Sequence, residues 1–193
     1  MVRSSARAAS AGSSRFWSTP VRLALALLLL VAVAGGCGEP ASEDAVVTPL
    51  DACVLLTKAD VEAVYGTTVG EPQPKQLGSG PFWVSMCDYD NAAFDAPMLS
   101  VGLLIKAHGV AEGPVQAYDK HVAELRKELG EAAGLAAIDG VGARAGWSAS
   151  TGQLTVFEGP FQIILTAIGR FAGDRLAFAK QLADHVLARL PAQ

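Results

Sequence analysis

Residues 23–33 form an unbroken apolar run that closes on Ala34-Gly35-Gly36-Cys37, and this feature sets how much of the chain is free to fold and where. Arg3, Arg7, Arg15 and Arg22 precede the run with no acidic residue among them. A positive leader, about a dozen apolar residues and small residues before a cysteine make up an export signal, too short for the roughly 18 residues of a membrane span. The cysteine at its end reads as a bacterial lipoprotein acylation site. Ala34 stands where leucine is commoner, and an ordinary cleaved signal or an uncleaved anchor is the competing reading.

The expected organisation is a signal peptide over residues 1–36, an acylated N-terminus and flexible tether over 37–50, and a folded domain over 51–193. Two or more acyl chains (palmitate or similar) on Cys37 would anchor the protein stably, at about 0.8 kcal/mol per buried methylene. Gly38 follows the cysteine, so the aspartate that retains some lipoproteins in the inner membrane is absent. The expected location is the cell envelope, on the outer side of the cytoplasmic membrane or at the outer membrane of a Gram-negative cell. The tether Gly38-Glu39-Pro40-Ala41-Ser42-Glu43-Asp44 has neither helical nor strand periodicity.

Without the leader's four arginines, 11 basic residues face 19 acidic ones, a net charge of −8. Such a surface repels nucleic acid and anionic headgroups. The mature 157 residues suit one domain that buries roughly two thirds of its unfolded surface. With Cys37 acylated, Cys53 and Cys87 remain. In an oxidising compartment the simplest reading is a disulfide, worth roughly 3 to 4 kcal/mol for a loop of about 35 residues. Two buried free thiols or a metal-binding or catalytic cysteine are the alternatives, and no C-x-x-C spacing supports the last.

Within the domain, Thr57 with Asp60 three residues on predicts a capping box, and Gly66 a left-handed helix end. Glu71-Pro72-Gln73-Pro74 through Gly78-Ser79-Gly80-Pro81 reads as a loop. Residues 82–89 read as a strand with Trp83, Ser85, Cys87 and Tyr89 on one face, so that a bond to Cys53 would pin the first helix there. Residues 98–105 alternate as a second strand. Tyr118, Val122, Leu125 and Leu129 mark a helix between Pro114 and Gly130. A strand over 143–149, a hairpin of 153–157 with 161–168, and a helix over 174–190 striped by Phe178, Leu182, Val186 and Leu190 complete the chain. Clustered strands with few crossovers predict an α+β fold, a mainly antiparallel sheet packed against two or three helices in a single domain.

The run Cys53-Val54-Leu55-Leu56-Thr57, the acid at Asp60, Gly66, and Cys87 before Asp88-Tyr89 together resemble a family of small bacterial (actinobacterial-type) envelope lipoproteins of unknown function. The resemblance implies an exported, lipid-anchored α+β domain with one disulfide. It brings no catalytic residue.

Motifs for chemistry fail their context. Gly140-Val141-Gly142-Ala143-Arg144-Ala145-Gly146 lacks the preceding strand and following helix of a dinucleotide loop. Gly146-Trp147-Ser148-Ala149-Ser150 lacks the last glycine of a nucleophile elbow. Asp88, Asp90, Asn91 and Asp95 have neither glycine nor glutamate where a calcium loop needs them. His108, His121 and His185 read as unrelated surface residues, with no metal or other cofactor expected. Trp83 and Trp147 are weak candidates to line a ligand groove. The expected role is a non-enzymatic binding or assembly module for an envelope protein partner. The alternative is a carrier or sensor of a small apolar ligand held between sheet and helices.

Overall fold

Asp51 and Thr57 start two short helices in succession. Asp51 accepts the Cys53 N–H at 2.9 Å and caps α1 (Ala52–Leu55). Thr57 and Asp60 exchange side-chain and backbone hydrogen bonds in the expected capping box at the head of α2 (Lys58–Tyr65), which ends at Gly66 with φ 66°. The computed structural model describes residues 47–91, 99–108, 112–130, 134–169 and 173–192, all within one compact unit.

Strands β1 (Gln73–Ser79), β2 (Phe82–Asp90) and β3 (Leu99–Ala107) follow, then α3 (Pro114–Leu129), β4 (Ala136–Ile138), β5 (Arg144–Ser148), β6 (Gln153–Glu158), β7 (Phe161–Gly169) and α4 (Arg175–Leu187). The strands form one antiparallel sheet in the order β1-β2-β3-β7-β6-β5-β4. The fold is α+β, a mainly antiparallel sheet in a single domain.

Strand alternation decides what each face buries. Trp83, Ser85, Cys87 and Tyr89 of β2 are buried on one face, beside Val101, Leu103 and Ile105 of β3, Ile163 and Leu165 of β7, and Leu154 and Val156 of β6. Helices α1, α2 and α4 cover that face, α4 through Ala179, Leu182, Ala183 and Val186. On the opposite face, α3 packs mainly over β5 and β6. There Tyr118 meets the Phe157 ring edge-on at 5.9 Å, and Ala117 and Val122 complete a small second cluster.

Several expectations need correction. Residues 71–81 are not all loop, because β1 occupies Gln73–Ser79. Its seven residues are all exposed, so no apolar alternation marks it, and Pro74 is tolerated because an edge strand need not donate every N–H. The turn into β2 requires glycine: Gly78 has φ 78°, and a Cβ there would stand 1.9 Å from the Phe82 carbonyl oxygen. Strand β4 was likewise hidden, being three residues long with little burial. The α3 stripe fades toward its end, where Leu129 is 66% exposed. Helix α4 stops at Leu187, and Leu190 belongs to a following turn whose N–H reaches the Leu187 carbonyl. Among the described residues there are four helices, the short α1 adding one turn ahead of the three that the pattern marks.

Candidate functional site

Cys37 lies outside the described residues. Cys53 and Cys87 are joined by a disulfide across 34 residues, tying α1 to β2. Beside it Ala52 N–H donates to Ser85 Oγ at 3.0 Å, and the Tyr89 hydroxyl donates to the Leu56 carbonyl. Burial, together with the negative charges of Asp60 and Asp51, pushes the Tyr89 phenol up to about 12.

The same corner holds the most strongly perturbed carboxyl. Asp60 accepts hydrogen bonds from Thr57 and from both terminal nitrogens of Arg189, with His185 Nδ1 at 3.3 Å. Burial works against its ionisation. The hydrogen bonds from Arg189 and Thr57 and the guanidinium charge outweigh it, holding the carboxyl well below the usual range. Arg189 also donates to the Leu55 carbonyl at 2.8 Å. An ionised carboxylate saturated with donors is a poor proton acceptor, so this cluster acts as a clamp. Cys53, Thr57, Asp60, Cys87 and Tyr89 all serve to hold this corner together, and Gly66 ends α2 away from it.

The two tryptophans occupy separate strands of the covered face. Trp83 is 2% exposed, packs 6.3 Å from the Phe161 ring, and donates its indole N–H to the Val47 carbonyl at 2.9 Å. Trp147 is half-buried against the core on β5. Strands β3, β7 and β6 lie between them, so they do not share a groove wall.

The uncovered half of the other face is a different surface. Cross-strand pairing sets Met86, Leu104 and Ile164 in one row over β2, β3 and β7. The next row is polar: Asp88, Gly102, Thr166 and Gln153. Gln153 donates to Thr166 Oγ1 at 3.3 Å, and Lys75 pairs with Asp88 at 3.1 Å. Gly102 makes room for that carboxylate, since a Cβ there would stand 2.9 Å from Asp88 Oδ1. These rows line an open groove of about 230 Å³. The sequence signal for it is present but subtle: Val84, Met86, Leu104, Ile164 and Ile168 break the polar half of the alternation in strands whose other face is already apolar.

On the far side of the apolar row, α3 and the sheet enclose a polar cleft of about 260 Å³. His108 and His121, read from sequence as unrelated, both lie against Phe157, with ring centroids 5.6 and 5.8 Å away. His121 is pushed down by burial and then by the positive Lys106, with Glu124 opposing. His108 Nε2 lies 2.7 Å from the Gly159 carbonyl, which only accepts, so this nitrogen carries the proton. His108 Nδ1 and the amide nitrogen of the 3%-exposed Gln162 have no protein partner among the described residues. The cleft thus offers one buried acceptor and one buried donor.

The hydroxyl of Ser148 bonds to Ser150 and Thr151 in a turn, not to a base. Among the described residues no three His, Cys, Asp or Glu side chains are grouped to hold a metal ion, and no helix is long and apolar enough to cross a membrane. Asp95 lies outside the described residues. No protein-family model, curated protein or solved structure matches this chain.

Proposed function

We propose that this is an envelope lipoprotein, anchored through acyl chains on Cys37, whose domain is a non-enzymatic binding or assembly module. The observation that carries the binding role is the Met86, Leu104 and Ile164 row, a half-buried apolar strip on the part of the sheet face that α3 leaves largely uncovered. Apolar patches rimmed by polar residues mark interaction surfaces. The other face is filled by Trp83, Tyr89, Leu103 and Leu165, all buried in the core. A partner protein would lay apolar side chains on the strip and meet Asp88, Gln153 and Thr166 at its rim. The carrier reading has less support, because the open groove of about 230 Å³ falls below the roughly 300–1,000 Å³ of small-molecule sites.

A photo-crosslinking residue at Leu104, set against one at the exposed Lys127 of α3, tests this in intact cells. The reading expects a discrete protein adduct from position 104 and none from 127. A lipid or small-molecule adduct at 104 would favour the carrier, and adducts equal at the two positions would reject a dedicated surface.

A further inference from the structure

The tether enters the domain beside the most exposed aromatic residue among those described. Trp83 Nε1 holds the Val47 carbonyl at 2.9 Å, and Phe82, the neighbouring residue at the β1–β2 turn, is 83% exposed. Leu77, across the same turn, is 58% exposed. Cys37 precedes Val47 by ten residues, so even a fully extended connection spans at most about 35 Å. A lipid on Cys37 therefore keeps this end of the sheet near the bilayer.

The hairpin also differs in charge from the rest of the domain. From Gln73 to Cys87 there is no carboxylate, and Lys75 is the single charged residue, within a mature chain of net charge −8. Glu158 and Asp139 sit at the same end of the sheet, but on connections of β6 and β4 toward the opposite edge, and Glu112, in the cleft with Lys106 and His108, is paired with Lys120 at 3.2 Å. Asp51 caps α1, whose first amide bonds Ser85, two residues inward from Trp83. An anionic surface is thus repelled least at the β1–β2 corner, where an aromatic and an aliphatic side chain project from a glycine-rich turn. Aromatic rings at headgroup level are a recurrent anchor at membrane interfaces.

We infer that the β1–β2 turn, through Phe82 and Leu77, seats on the bilayer surface beside the acylated N-terminus, fixing how the domain stands on the membrane. The inference rests on the anchor proposed above, and it goes beyond that reading by giving the domain an orientation. In that orientation β1 and β2 point toward the lipid, and residues 149–152, at the other end of the sheet, point away.

The test uses the full mature chain, purified from membranes and reconstituted in phosphatidylethanolamine–phosphatidylglycerol vesicles. With Cys37 acylated and Cys53 bonded to Cys87, an added Ser79→Cys or Ser150→Cys is the one free thiol for an environment-sensitive fluorophore. The label at 79 should shift to the blue and be quenched several-fold more by headgroup-proximal spin-labelled lipid than the label at 150. Phe82→Ser should bring quenching at 79 to the level seen at 150. Because Phe82 is exposed, this change leaves the fold intact, which unchanged circular dichroism would verify. Acyl mass on Cys37 with equal quenching at both positions overturns the hairpin contact and leaves the anchor standing. Absence of acyl mass on Cys37 overturns the anchor and this inference with it.

Discussion

Arg189 grips Asp60 with both arms of its guanidinium, at 2.7 and 2.9 Å, across 129 positions of sequence. The pair joins the turn after the last helix to the first turn of α2, and a further bond from Arg189 to the Leu55 carbonyl fastens α1 to the same point. Removing the cation would strand a buried carboxylate, a loss of 3–5 kcal/mol in fully buried pairs. Arg189 is itself partly exposed, so the cost here is smaller. Arg189→Ala should destabilise the domain by about 2 kcal/mol in urea unfolding, and Arg189→Lys, which loses the two-armed geometry, by about half as much.

The same pair predicts a pH dependence. The Asp60 carboxyl is held below its unfolded value of about 3.9, so the unfolded chain takes up its proton first as pH falls. The stabilisation is complete well above pH 4 and is lost progressively below it. Unfolding curves recorded from about pH 6 to pH 2 should show that loss, and Asp60→Asn should flatten it while lowering stability near neutrality.

Reduction of the Cys53–Cys87 bond frees a loop of 34 residues. On the chain-entropy account this costs roughly 3 to 4 kcal/mol, which lowers Tm by on the order of 10 °C. Calorimetry with and without reductant, or of Cys53→Ser with Cys87→Ser, checks it. Because the bond also holds α1 on β2, hydrogen exchange should rise over residues 52–56 before it rises in β7.

Helix α3 is held on its face of the sheet by the small cluster around Phe157. Phe157→Ala should cost about 3–5 kcal/mol, as large-to-small changes at buried aromatics do. The protection of residues 114–129 should fall sharply in hydrogen exchange. Protection of α4, packed on the opposite face, should change far less.

What could be read ahead of the structure followed how strongly a local pattern coincides with burial. The capping box at Thr57 and Asp60, the left-handed Gly66, and the shared face of Trp83, Ser85, Cys87 and Tyr89 were legible because local geometry and the core demand the same residues there, and the Cys53–Cys87 partnership because only two cysteines remain beside Cys37. Strand β1 was not, since it is an exposed edge containing Pro74 and borrows its register from β2. Nor was the clamp, because nothing in a one-dimensional pattern links Asp60 to Arg189. The meeting of His108 and His121 at Phe157 depends on where α3 crosses the sheet, and that crossing is set by tertiary packing. The uncovered apolar row left a trace in the sequence, but strands apolar on both sides are equally compatible with burial on both faces.

Intact mass of the N-terminal peptide of the membrane-purified protein tests the lipoprotein account most directly. The account predicts a peptide starting at Cys37 and carrying a diacylglyceryl thioether, with membrane release and loss of acyl label in Cys37→Ser. A peptide running through Gly36 into an unmodified Cys37 would contradict it.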